Sequence, residues 1–284
     1  MSLVFRMSRA AAALLLTASL AGAADYRRVV SIGGDVTEIV FALGAGNLLV
    51  ARDSTSTYPD AARALPDAGY MRALSAEGVL GMHPDAILAS AGSGPPEQLA
   101  ALEKAGLPIA RIGDGHDADA IAAKIMTVGT FLGRTAEAET LAARVRADLA
   151  TAAAAADRPT AERRRVLFIL SMNDGKVIAA GRGTSAEAMI TLAGGINATP
   201  EFNGFKAVSA EALLSARPDV ILLMDRGQHA AAVNDLTTNP MLASTPAVKN
   251  GRVIRMDGLY LLGFGPRTAR AIADLSASIY GGKP

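Results

Sequence analysis

One segment of this chain occurs twice. Ser75-Ala76-Glu77, Leu80, Pro84-Asp85 and Ile87-Leu88 recur as Ser209-Ala210-Glu211, Leu214, Pro218-Asp219 and Ile221-Leu222, every pair 134 residues apart. So long an offset is no solenoid period, which would return within a few tens of residues. It predicts two similar lobes, each built around the same helix–turn–strand unit and each displaying a glutamate at the same place. Two lobes enclose a cleft, a usual place for a small ligand.

The first 23 residues read as an export signal. Arg6 and Arg9 make a basic start, residues 10–20 an apolar core, and Ala21-Gly22-Ala23 a small-residue site that places cleavage near Ala23. The apolar run is too short to span a bilayer, and glycine, proline or charge interrupts every later apolar stretch. The chain contains no cysteine, which excludes a lipid-anchored cysteine, disulfides and thiolate metal sites together. A mature chain of ~260 residues must then rely on its core, and that length suffices for two ordinary domains. Near charge balance, 28 Lys and Arg against 27 Asp and Glu, gives no ground for a nucleic-acid partner. A free, monomeric protein of a Gram-negative periplasm is the expectation.

Strands predicted at 28–32, 48–51, 86–89 and 108–112, and again at 166–170, 220–224 and 253–256, alternate with helices. That alternation argues for an α/β fold with mainly parallel central sheets. The expected division is an N-terminal lobe over 24–116, a helical segment over 117–160 and a C-terminal lobe over 161–284. Asp35 or Thr37 is expected to cap the first helix, and Ser75 the helix that carries Glu77. Between the lobes, residues 135–158 contain neither Gly nor Pro, and Leu141, Val145 and Leu149 recur at four-residue spacing. A single helix of ~22 residues, ~33 Å long, follows; so stiff a joint would restrict opening of the cleft.

Tyr70 follows the turn-like Pro66-Asp67-Ala68-Gly69, with Arg72 two positions on. In extended backbone these two side chains face one way. A guanidinium beside a phenol favours phenolate, a hard oxygen ligand suited to ferric iron and among the axial ligands of haem. On spacing alone, the plainer reading is a tyrosine that packs its ring at a lobe edge with its hydroxyl in water. The histidines, His83, His116 and His229, show no i, i+3 or i, i+4 pairing and so no local metal motif. Arg226 and His229 follow a predicted core strand, which sets them near the cleft mouth. There Arg226 could pair with a ligand carboxylate or stay solvated. Gly181-Arg182-Gly183-Thr184-Ser185 falls short of a phosphate loop, and neither G-x-G-x-x-G nor G-x-S-x-G occurs. An exported α/β enzyme is thereby disfavoured. For Glu77 and Glu211, a helix-dipole role would explain either alone; displayed on two lobes, the pair could grip two arginines of a two-fold-symmetric partner.

Tyr70-Met71-Arg72-Ala73-Leu74-Ser75-Ala76-Glu77-Gly78 closely resembles the motif of periplasmic haem-binding proteins that feed ABC-type haem importers. Phe205-Lys206-Ala207-Val208-Ser209-Ala210-Glu211 resembles its second-lobe equivalent, and Leu262-Gly263-Phe264-Gly265-Pro266-Arg267-Thr268 the C-terminal signature. The resemblance covers 28–280. It implies two α/β lobes joined by one long helix, and an iron-acquisition protein that captures ferric haem b in the cleft and delivers it to an inner-membrane permease dimer. Tyr70 would be the axial ligand of the haem iron and Arg72 its hydrogen-bonding neighbour. Arg226 or Lys206 would meet the propionates, and Glu77 and Glu211 would dock on permease arginines. Tyr260 would stack in the pocket, sit at its rim or belong to the core, and His229 would line the pocket. Some relatives hold a second haem through a histidine where this chain reads Leu170-Ser171-Met172-Asn173. One haem is therefore expected, with Met172 as a soft axial ligand or an ordinary lining residue. The broader class also implies an alternative: a ferric-siderophore or cobalamin carrier of the same fold.

Overall fold

The computed structural model describes residues 25–173, 176–225, 236 and 238–281. The expected export signal, Arg226 and His229 lie outside the described residues. Strands β1 (Val29–Ile32), β2 (Leu49–Arg52), β3 (Ala86–Ser90) and β4 (Ile109–Ile112) form a first sheet in the order β2-β1-β3-β4, parallel throughout. All four residues of β1 are buried, as a parallel strand covered on both faces requires. Helices α1 (Gly34–Ala42), α2 (Asp60–Arg63), α3 (Ala76–Leu80) and α4 (Pro96–Lys104) fill the connections. Gly33 turns β1 into α1 at φ 109°, and a Cβ there would fall 2.4 Å from that of Ser90, so glycine alone fits. The helix consequently starts before either expected cap. Asp35 is buried inside its first turn against Lys124 Nζ, 3.2 Å away.

Two helices follow, α5 (Ala118–Phe131) and α6 (Thr135–Ala156). The second has the 22 residues its spacing predicts. A Cβ on Gly129 would sit 2.3 Å from that of Ala138, so this glycine sets how closely α5 and α6 approach. The second sheet contains β5 (Arg165–Asn173), β6 (Lys176–Ala180), β7 (Ile196–Asn197), β8 (Phe205–Val208), β9 (Val220–Asp225) and β10 (Val253–Asp257). Its order is β10-β9-β5-β6-β8, with β7 beside β5. Only β6 runs against the rest. Around it lie α7 (Ser185–Leu192), α8 (Ala210–Ala216), α9 (Pro240–Ala243), α10 (Pro246–Lys249), α11 (Gly258–Leu262) and α12 (Thr268–Tyr280).

Alternation along the strands divides the core. Val29 and Leu88 from the first sheet and Phe168 and Leu222 from the second belong to one continuous cluster, which runs through Ile125 of α5, Leu141, Val145 and Leu149 of α6, and Leu275 of α12. The neighbouring residues point the other way. Val30 and Ile87 pack on Leu99 and Leu102, and Leu167 and Ile221 pack on Leu213 and Leu242. Both sheets thus press one face onto the same helical layer.

The duplicated sequence is also a duplicated clamp. Asp85 accepts the backbone N–H groups of Arg27 and Arg28 at 2.7 and 3.1 Å, and Asp219 accepts that of Arg165 at 2.8 Å. In return Arg28 Nε donates to the His83 carbonyl at 2.6 Å, and Arg165 Nε to that of Ala216 at 2.7 Å. Arg217 closes α8 in left-handed conformation at φ 42°, and His83, three residues past the end of α3, is left-handed too, at φ 51°. Each Pro-Asp pair thereby ties the end of α3 or α8 to the start of a central strand.

The C-terminal signature closes a seam between the sheets. Phe264, 1% exposed, meets His116 edge-on with ring centroids 4.6 Å apart. Glu38 of α1 accepts from the Arg267 backbone N–H at 3.0 Å and its Nε at 2.9 Å. Burial pushes the Glu38 carboxyl up, against the opposing pull of Arg267. Arg267 is in turn stacked on Tyr58, its guanidinium carbon 3.4 Å from the ring centroid. Removing one partner of a buried pair strands the other. Glu38→Ala is expected to cost about 3 kcal/mol in urea unfolding, the low end for such a loss, because Arg267 keeps its stack on Tyr58.

Candidate functional site

All four strands of the first sheet end on one side, and the loops that leave them there build the surroundings of Tyr70. Asp53, fully buried just beyond β2, is the anchor. Its carboxylate accepts from Gly33 N at 2.9 Å, Thr55 N at 2.9 Å, Thr55 Oγ1 at 2.6 Å and Ser56 Oγ at 2.6 Å. Four donors satisfy a charge that has no buried cation beside it in these bonds. The segment before Tyr70 lies along this turn: Arg52 N donates to Pro66 O, Ala68 N to Arg52 O, and Ser54 N to Gly69 O, at 3.0, 2.8 and 2.9 Å. From the β3 side, Gly94 N donates to Met71 O and Leu74 N to Gly94 O, at 2.8 and 2.9 Å. Tyr70 is held from both flanks by backbone bonds while its own side chain stays 47% exposed.

Residues 70–73 are not extended. Ala73 N donates to Tyr70 O at 2.8 Å, which closes a turn. Strand alternation therefore does not align Tyr70 with Arg72. Among the described residues, neither side chain has a hydrogen bond or ion pair. Arg72 is exposed, and so is Lys206 on the edge strand β8. These two cations stand 134 residues apart, at equivalent places in the duplication. Beside Lys206, Phe205 is 40% exposed, its ring centroid 6.3 Å from that of Phe168. Met172, half-buried on β5, packs against the core on the far face of the second sheet. Glu77 and Glu211 are exposed in the first turns of α3 and α8. Ser75 and Ser209 cap those helices, accepting from Gly78 N at 3.3 Å and Ala212 N at 3.1 Å.

Tyr260 has a hydrogen-bond partner of its own. On α11, its hydroxyl donates to Asp274 Oδ2 of α12 at 2.7 Å. With Tyr58, Arg63, Asp257, Arg267 and Arg270 it lines a pocket of about 310 Å³ whose walls include neither Tyr70 nor Lys206. The spacing of the sequence gave no sign of this pocket, because its two sides are about two hundred residues apart. The bracing role of Asp53 was not recognised from sequence either. Its signal is the run Asp53-Ser54-Thr55-Ser56, in which Ser and Thr can fold back on an Asp carboxylate. Among the described residues no cluster of three or more His, Asp or Glu side chains could hold a metal ion, and no helix is long and apolar enough to cross a membrane.

Burial, and then the bond to Asp274, push ionisation of Tyr260 far above that of an ordinary phenol. The folded state keeps this proton where an unfolded tyrosine has released it. The resulting stabilisation is complete below the ordinary phenol value and is lost as pH rises through the folded one. In an alkaline titration of tyrosinate absorbance, Tyr260→Phe should delete the most alkaline step, and Asp274→Asn should move it to lower pH.

The comparisons with known proteins agree on one family. The family model described as "Periplasmic binding protein" matches residues 29–259. The periplasmic heme-binding protein RhuT from Roseiflexus sp. RS-1, solved in apo form, is 43% identical, with a TM-score of 0.85 over 89% of this chain and 98% of that one. The periplasmic heme-binding protein BhuT, solved with two hemes, is 40% identical, with a TM-score of 0.83 over 89% and 97% of the two chains. The vitamin B12-binding protein of Yersinia pestis is 28% identical over 221 residues, 78% of this chain and 77% of that protein. These are solute-binding proteins and not enzymes. The chain belongs to the periplasmic binding protein family, the extracytoplasmic solute-binding components of ABC transporters.

Proposed function

We propose that this protein captures ferric haem b between its two α/β halves and passes it to the membrane permease of an ABC-type importer. One observation carries the reading: Tyr70, a phenol exposed and without a hydrogen-bond partner among the described residues, on a turn fixed from two sides at the carboxyl edge of a parallel sheet. Ligands of open α/β sheets bind at that edge, and a phenolate oxygen is an axial ligand for ferric haem. The similarity to the periplasmic heme-binding proteins BhuT and RhuT supports the choice of ligand. Arg72 is assigned to the phenolate and Lys206 to a propionate. On the resemblance, Arg226 and His229 belong to the same pocket, with Met172 and Tyr260 at its margins.

In this reading residues 1–23 are removed as a signal peptide near Ala23 and the mature monomer works in the periplasm. The lobes are 24–116 and 161–284, joined by 117–160. The shared helical layer permits limited rocking of the lobes around the ligand. Glu77 and Glu211, one from each half, dock on arginines of the permease dimer. A cobalamin carrier is the second reading, supported by the likeness to the vitamin B12-binding protein.

Hemin titrated into the purified protein should give a shifted Soret band and the charge-transfer band of a ferric phenolate. Tyr70→Phe should abolish that band and weaken binding about tenfold or more, ~1.4 kcal/mol per decade. Tighter binding of cobalamin or a ferric siderophore than of hemin, followed through tyrosine fluorescence that no tryptophan obscures, would replace haem as the ligand. Lys206→Ala, which removes a charge-assisted bond to a propionate, and Arg72→Ala, which removes the partner of the phenolate, should each cost about 1.5 kcal/mol, near a tenfold rise in the hemin Kd. The phenolate band should survive in Lys206→Ala.

A further inference from the structure

We infer that Leu80 and Leu214 are apolar anchors of the docking face, each seated in an apolar socket of the permease beside the cation that meets Glu77 or Glu211. The inference rests on the docking part of the proposed function and adds residues that the reading leaves unused. Leu80 and Leu214 are among the few large apolar side chains left exposed, at 39% and 53%. They stand 134 residues apart, so the exposure itself is duplicated. Neither leucine is needed to seat its own helix, because the adjacent Val79 and Leu213 are fully buried and supply that contact.

Glu77 and Leu80 are three residues apart on α3, as are Glu211 and Leu214 on α8, so each pair shares one helix face. The scaffold beneath is the same twice. Ser75 and Ser209 cap the helices, His83 and Arg217 end or follow them in left-handed conformation, and Asp85 and Asp219 clamp them to the neighbouring strand. An acid and a leucine, presented in one arrangement on both halves, fit a partner with two identical halves, each offering a cation next to an apolar hollow. The carboxylates oppose an anionic lipid surface, which favours the permease dimer over the bilayer around it.

The test uses haem-loaded full-length protein and the host's importer in lipid nanodiscs, with binding followed at several salt concentrations. Leu80→Ser and Leu214→Ser should each weaken docking about tenfold and keep the wild-type salt dependence, while Leu80→Met and Leu214→Met dock normally. Glu77→Gln and Glu211→Gln should weaken docking and flatten its salt dependence. An unchanged Soret titration and melting temperature show that each variant is folded and loaded. Serine variants that dock like wild type, while the glutamine variants fail, would overturn the anchors and leave the docking reading intact. Glutamine variants that also dock like wild type would overturn that reading itself. Equal binding to nanodiscs without the importer would show a lipid-surface contact and overturn the assignment to the permease.

Discussion

Both sheets bury one face against the same layer of helices, and the rest of the structure depends on that sharing. Leu141, Val145 and Leu149 of α6 belong to the same cluster as Val29 of the first sheet and Phe168 of the second. A helix so placed is more than a tether. Moving one sheet far from the other would expose apolar surface at ~25 cal/mol per Å², so the halves are joined through their core as well as through their backbone. The seam at Glu38 and Arg267 adds a second tie, and here the balance is finer: burial penalises the carboxylate while the guanidinium favours it. Such a pair adds little net stability but fixes an orientation, because half of it alone is costly.

Given that frame, the carboxyl edge of the first sheet becomes a place where side chains can be held without being used up. Asp53 takes four hydrogen bonds inside the protein so that the turn carrying Tyr70 is fixed by its backbone. The tyrosine side chain is left with none among the described residues. This division of labour, buried polar groups for placement and an exposed one for contact, suits a protein that must bind a ligand and later release it. The glutamates on α3 and α8 follow the same logic: their helices are capped and clamped by other residues, and the carboxylates remain displayed.

Much of this was legible in one dimension. The 22-residue helix follows from the absence of Gly and Pro and from apolar residues one turn apart, signals that act within a few residues of one another. Ser75 was legible as a cap for the same reason. The first helix was misplaced because its start is set by the close approach of Gly33 to Ser90, a residue far along the chain. The turn at Tyr70 was not legible because its backbone is held by Gly94, on a loop beyond β3. The reversed strand β6 and the edge strand β8 were missed as well: short, mixed segments acquire strand character from their neighbours in the sheet.

The sequence alone therefore determined the class of fold, the duplication, the joining helix and which residues recur in both halves, since all of these rest on local periodicity or on repetition. Tertiary structure alone decided what those residues face. It brought Glu38 to Arg267 across 229 positions, gathered Tyr58 and Tyr260 around one pocket, and left Leu80 and Leu214 uncovered. The physical reason is that burial is a property of the assembled surface: whether a phenol, a carboxylate or a leucine is spent on the core or kept for a partner depends on groups that no local pattern brings near.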